Sequence, residues 1–299
     1  MAQGSVLTSW MPGSFWNTGD PRVRPYPLMS NPIGILFIIA FYLFFSLKLG
    51  PAFMKNRRPF NITLLIVVYN VAMVASSLYF IFLTVKWAYV KSGYNIVCQE
   101  NDSQTNPAAS IIIYHGWCYL VLKISELLDT VFFVLRKKST HVSFLHLLHH
   151  SLALWTVWLD LHLAITGQVA LFPLLNASVH TVMYTYYGLA ALGLQKYLWW
   201  KKYVTQFQIA QFATLTVHSA IPLFVNCGFP KTFAVFMVME AALFMGLFSD
   251  FYYRTYVRSS VRRKMEGKET HIRKRRLPAS NRERPILQSP LTKLEGRTG

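Results

Sequence analysis

Charged side chains are scarce in this chain, and acidic ones scarcer still. Of 299 residues only 14% are charged, and 12 Asp and Glu face 30 Lys and Arg. Against 53% apolar residues, that scarcity excludes an ordinary soluble domain and a disordered polar chain alike. Cysteine is rare: three residues rule out a disulfide framework. A cleavable leader is missing as well, because residues 1–30 are polar and broken by Pro12, Pro21, Pro25 and Pro27, and the first apolar run begins near Ile33. No internal period in the range of about 20–50 residues is evident, which argues against a solenoid.

What is present is a series of apolar runs near the membrane-spanning length of about 20 residues. Seven are expected, at roughly 33–50, 62–85, 110–134, 143–160, 168–190, 203–226 and 232–254. The net charge of +18 is spread unevenly over the loops. Lys48, Lys55, Arg57 and Arg58 follow the first run, Arg136, Lys137 and Lys138 the third, and Lys196, Lys201 and Lys202 the fifth; a basic tail follows the seventh. The intervening loops are poor in Lys and Arg. This alternation puts the C-terminus in the cytosol and, with an odd number of spans, the N-terminus in a lumen. One membrane domain is expected at 31–256, after a lumenal arm at 1–30 and before a basic, disordered cytosolic tail at 257–299. Arg273-Lys274-Arg275-Arg276 resembles a nucleic-acid patch, but in a polytopic chain it reads as a solvated tail beside anionic lipid headgroups, with no nucleic-acid partner.

Cys98 and Cys227 both fall on the lumenal side of this topology, where an oxidising environment permits a bridge; the alternative is two free thiols. Asn101-Asp102-Ser103 is a lumenal glycosylation sequon in the same loop.

Polar groups at membrane depth are costly, and those present mark candidate function. Lys123, Glu126 and Asp129 recur every three residues and form one drifting stripe on the third span. Glu126 and Asp129 read as partly structural, and Lys123 as a group that approaches an anionic ligand. His146, His149 and His150 open the fourth span; spacings of three and four residues collect them on one helix face, suited to metal binding, nucleophilic attack or general-base work. Asn176 and His180 share a face of the fifth span, and Thr205, Gln208 and Gln211 form a stripe on the sixth, for which interhelical hydrogen bonding is the plain explanation. The basic rim above this polar cluster suits a ligand with phosphates and an apolar tail, such as an acyl-CoA.

These residues carry a resemblance. Lys123-x-x-Glu126-x-x-Asp129-Thr130, His146-x-x-His149-His150, Asn176-x-x-x-His180-x-x-Met183-Tyr184-x-Tyr186-Tyr187 and Thr205-x-x-Gln208-x-x-Gln211 are similar, in this order, to the boxes of the very-long-chain fatty acid elongases, the condensing 3-ketoacyl-CoA synthases of the endoplasmic reticulum. Leu49-Gly50-Pro51 and Asn56-Arg57-Arg58-Pro59-Phe60 resemble the family's stretch after its first span. The resemblance implies an all-α membrane fold of seven transmembrane helices, with helices two to seven as a barrel around an acyl tunnel. It implies condensation of acyl-CoA with malonyl-CoA and no permanently bound cofactor. His149 is the implied nucleophile, with His146, His150, His180 and Asn176 around it. Lys123, Arg136, Lys138, Tyr186, Lys201, Thr205 and Gln208 match positions along the CoA and thioester path. His141 stands at a CoA-contact position where animal members usually carry Gln, and Leu148 at one that is often aromatic. Homodimers, or heteromers with other enzymes of the elongation cycle, are implied by family analogy. Phe172, Ala220, Phe236 and Phe244 are candidate tunnel liners.

Two rival classes use the same features. A di-iron desaturase or hydroxylase also has an H-x-x-H-H box, but needs several, and this chain has one among its nine histidines. A lipid transporter would use broken helices, for which Pro173 and Pro222 are candidates.

Overall fold

In the computed structural model the described residues are 19–163, 165–258 and 265. All regular structure among them is helical. The first 18 residues of the lumenal arm, and all but three residues of the basic tail, lie outside the described set, and so do the expectations for them. The chain divides after Asp250 into two compact units; apart from the end of the last helix, everything below concerns the first.

Apolar composition dictates most of the helices. Three stretches are long and apolar enough to cross a membrane: α1 (Ile33–Met54), α2 (Thr63–Lys91) and the last helix, α8 (Lys231–Tyr252), whose helical run continues to Arg258. Their outward faces carry apolar side chains no aqueous surface would favour; Ile33 is 72% and Leu64 76% exposed. In α1 the ladder widens to a π-turn at Phe45–Leu49. Pro51, which has no N–H to return to the preceding turn, lies two residues past it.

The third apolar run is not one helix. It divides into α3 (Ala109–Glu126) and α4 (Leu128–Leu135). The turn at Leu127 is tightened: Leu127 N–H donates to Ile124 O and Thr130 N–H to Leu127 O, both at 3.2 Å. Next come α5 (Phe144–His162), α6 (Leu171–Ala191) and α7 (Lys201–Phe224). Neither proline breaks its helix. Pro173 sits in the first turn of α6, where its missing donor costs nothing, and Pro222 lies in the last turn of α7.

The most extensive pairing is α2 along α6; α3 packs on α5, α6 on α7, and α1 on α4 and α5. Leu120, Leu154 and Trp158 anchor the main cluster between these helices. Residues 19–30 also pack there. Val23 and Met29 are buried, Trp158 Nε1 donates to Leu28 O (2.9 Å), and Arg22 Nη1 to Ser103 O (2.7 Å).

The loop after α2 is fastened over the C-terminal end of α5. Cys98 and Cys227 form a disulfide, so the bridge admitted by the topology is present. Gln99 N–H donates to Gln168 Oε1 (2.8 Å), and Thr166 Oγ1 donates to Asp102 Oδ1 (2.7 Å). Gly167 is needed between them: its φ is +77°, and a Cβ would collide with the Glu100 carbonyl. Asn101, the sequon residue, uses its Oδ1 to accept from the N–H of Thr166 at 3.0 Å.

Candidate active site

Ser143 starts the site. Its hydroxyl accepts the His146 backbone N–H (3.2 Å) and caps α5, which sets the rotation of the histidines that follow. The spacing brings His146 and His150 together edge-on, ring centres 4.4 Å apart. His146 Nε2 lies 2.8 Å from Thr130 Oγ1, which lies 2.9 Å from the Tyr42 hydroxyl. A chain Tyr42–Thr130–His146 thus fixes the first histidine of the box.

His149 points elsewhere. Its ring is set edge-on among Phe244, Phe248 and Phe212, at 5.0, 5.9 and 6.1 Å. It makes no hydrogen bond among the described residues, and it borders an internal cavity of about 30 Å³ that Asn176, Phe172 and Phe244 also line. Of the four clustered histidines, only this one faces that cavity.

Behind the cavity wall lies a buried polar cluster. Lys123 Nζ donates to Glu126 Oε1 (2.7 Å) and to Asn176 Oδ1 (2.6 Å). Tyr119 OH donates to the same Asn176 oxygen (2.7 Å). His180 Nδ1 approaches Glu126 Oε1 at 3.1 Å, and its Nε2 lies 3.4 Å from Asn176 Nδ2. Lys123 and Glu126 each keep about 2% of their side-chain surface. Such burial of opposite charges is tolerated only with good hydrogen bonding; here Lys123 Nζ makes two bonds and Glu126 Oε1 meets both Lys123 and His180. The sequence stripe is therefore split. Lys123 and Glu126 join Asn176 and His180, while Asp129, past the Leu127 turn, accepts from Tyr184 OH (2.8 Å).

The remaining expected residues sit where α4 ends and α7 begins. Lys138 and Lys201 are exposed, and Thr205 is buried. Tyr186 stands edge-on to Trp200 (5.3 Å), and Gln208 Nε2 reaches Met183 Sδ (3.6 Å). His141 packs near Phe133 (5.0 Å). Partial desolvation, with Lys138 and Lys201 nearby, lowers its pKa. Among the described residues no group of three His, Cys, Asp or Glu is arranged to hold a metal ion.

Several residues of the site give no spacing signal. Tyr42 comes from the apolar first span, and Tyr119 and Phe212 from runs that read as core. Of the candidate liners, Phe172 and Phe244 border the cavity; Ala220 and Phe236 do not.

Residues 27–264 match the ELO (GNS1/SUR4) family. Very long chain fatty acid elongase 4 of Homo sapiens is 42% identical over 243 residues, 81% of this chain and 77% of that protein. Very long chain fatty acid elongase 1 of Mus musculus is 39% identical over 245 residues, 80% of this chain and 87% of its own length. A very long chain fatty acid elongase of Aedes aegypti is 39% identical over 247 residues, 82% of this chain and 69% of that protein. With the histidine box, the buried Lys–Glu–His–Asn cluster and this extended identity all in place, the chain belongs to the ELO family.

Proposed function

We propose that this protein is a fatty acid elongase of the endoplasmic reticulum membrane that condenses a very-long-chain acyl-CoA with malonyl-CoA, giving 3-oxoacyl-CoA, CO2 and free CoA. In this reading seven helical stretches span the bilayer, with α3 and α4 counted as one. The N-terminus is lumenal, the C-terminus cytosolic, and the acyl chain lies among the second to seventh spans.

One observation carries the reading. His149 alone of the four clustered histidines presents its ring to the internal cavity, unbonded among the described residues and walled by phenylalanines. A neutral imidazole nitrogen there attacks the thioester carbonyl. The C–S bond breaks, CoA leaves, and the acyl group remains on the ring. Malonyl-CoA then loses CO2; the electrons of the broken C–C bond form an enolate, which attacks the acyl carbon. The C–N bond breaks and the neutral imidazole returns. Phe212, Phe244 and Phe248 exclude water, which would otherwise hydrolyse the acyl-imidazole. Asn176 borders the same cavity, and its amide N–H supports oxyanion stabilisation. Asn176 is oriented by Lys123 and Tyr119, which hold its oxygen. Thr130 orients His146. His150 stands edge-on to His149, ring centres 5.5 Å apart, and His180 is held by Glu126. Arg136, Lys138, His141 and Lys201, with Tyr186, Thr205 and Gln208, line the route of the CoA moiety. The basic groups among them meet its phosphates.

The test is malonyl-CoA-dependent CO2 release by the purified protein, and mass analysis after incubation with acyl-CoA alone. The expected result is one acyl increment on His149. His149→Ala should release no CO2 above background while inserting and melting normally. Full activity in that variant removes the assignment.

A further inference from the structure

The cavity at His149 is not uniformly apolar, and the mechanism uses none of its inner polar groups. His149, Ala153, Thr156 and Asp160 lie on one face of α5 and all line it. Opposite them stand Ser219 of α7 and Glu240 of α8. Glu240 Oε2 accepts from Thr156 Oγ1 (2.8 Å). Asp160 Oδ1 is sealed from solvent and accepts no hydrogen bond among the described residues. Ser219 is 1% exposed, and its hydroxyl is equally unpartnered. On a helix a serine or threonine hydroxyl can bond back to the carbonyl four residues earlier. Ser178 and Thr216 do so here, each at 2.7 Å. Neither Asp160 nor Glu240 takes part in an ion pair among the described residues. Buried polar atoms without partners are costly and rare in folded proteins. Two of the six such atoms among the described residues, on Asp160 and Ser219, border this one internal space. Beyond them, past Asp160 and Phe172, a second cavity of about 120 Å³ opens, and its walls are overwhelmingly apolar.

We infer that this polar girdle is a recognition station for a hydroxyl group carried on the acyl chain, so that the preferred substrate is a hydroxylated long-chain acyl-CoA. The inference rests on the condensing function proposed above. A hydroxyl both donates and accepts. It donates to a carboxyl oxygen of Asp160 or Glu240 and accepts from Ser219, supplying what these atoms lack. A plain methylene at the same place leaves Asp160 Oδ1 and the Ser219 hydroxyl unsatisfied. The helix sets the position. At about 1.5 Å rise per residue, Thr156 lies about 10 Å and Asp160 about 16 Å along α5 from His149. At about 1.3 Å per methylene, set by carbon–carbon bonds of about 1.5 Å, that places the hydroxyl about 8 to 13 carbons from the thioester. The apolar chamber beyond takes the rest of the tail.

The experiment compares a saturated acyl-CoA with the same chain bearing one hydroxyl in that window. Binding to the detergent-purified protein is measured by calorimetry, and condensation by malonyl-dependent CO2 release. The expected result is at least about tenfold tighter binding of the hydroxylated chain. The preference should shrink severalfold in Glu240→Gln and in Ser219→Ala, and invert in Glu240→Leu. The two conservative variants keep the test interpretable if Glu240→Leu fails to fold. Equal binding of both chains by the wild-type protein, for every hydroxyl position tried, overturns the station and leaves the condensing function standing. Selective binding without CO2 release supports the station and removes the condensing function.

Discussion

Glu126→Gln is the sharpest test of the buried cluster. The change keeps shape and removes one charge. In the native protein Glu126 Oε1 takes a proton donor from Lys123 at 2.7 Å and stands 3.1 Å from His180 Nδ1. All of this is out of reach of water: Glu126 is 1% and Lys123 3% exposed. After the substitution the Lys123 ammonium faces only neutral oxygens, those of Asn176 and of the new amide, and has no countercharge. Stranding one member of a buried pair costs about 3–5 kcal/mol. For a body of this size each kcal/mol lowers the melting temperature by about 2–4 °C, so the drop should be about 6–20 °C. Lys123→Met combined with Glu126→Leu removes both charges and leaves Asn176 its bond from Tyr119. That double variant should recover most of the loss, because a buried pair adds little over apolar residues of similar volume. The assay is thermal unfolding in detergent by intrinsic fluorescence, which is independent of catalysis. A single variant melting within about 2 °C of wild type, or a double variant no better than the single, refutes the reasoning.

Two further expectations concern the segments around the α5 terminus. The Cys98–Cys227 bridge spans 129 residues, so chain entropy gives an upper limit of about 5 kcal/mol for its loss; Cys98→Ser and added reductant should each lower the melting temperature, and insensitivity to both removes the bridge from the stabilising contacts. Arg22 beside Asp20 holds that carboxyl below the usual carboxylate range; its stabilisation is therefore present above about pH 3.9 and lost as pH falls through the lower folded value. Melting curves between about pH 6 and pH 3 should show that acid loss in wild type and not in Asp20→Asn, and identical profiles would argue against it.

Much of the fold was legible because bilayer physics is coarse. An apolar run of sufficient length reads as a helix whatever its neighbours, and the histidine spacing placed His146 beside His150 without tertiary knowledge. The break at Leu127 was not legible: Ser125-Glu126-Leu127-Leu128-Asp129 contains no glycine or proline, and the turn tightens so that two carboxylates reach different partners. Tyr42 and Tyr119 were invisible for a related reason. Aromatic residues in an apolar span read as lipid-facing or core, and only packing shows which hydroxyl finds a polar group. Residues 19–30 read as a polar arm because their prolines suppress helix, yet Val23 and Met29 are buried and Leu28 O receives the Trp158 indole N–H. Asp160 and Glu240 are single acids on otherwise apolar helices, and their meeting at one cavity depends on helix rotation, which periodicity does not fix.

The tightened turn at Leu127 has a longer reach than its size suggests. A turn with three residues per revolution advances about 20° further per residue than an α-helix does, so everything after it is rotated about the axis. Without that twist Glu126 and Asp129 would sit stacked as like charges on one ridge. With it they belong to separate circuits, one ending in Lys123 and His180, the other in Tyr184. Thr130 is swept round in the same motion, until it can grip both Tyr42 and His146. A single backbone adjustment, remote from the His149 ring, thereby aims a neighbouring histidine.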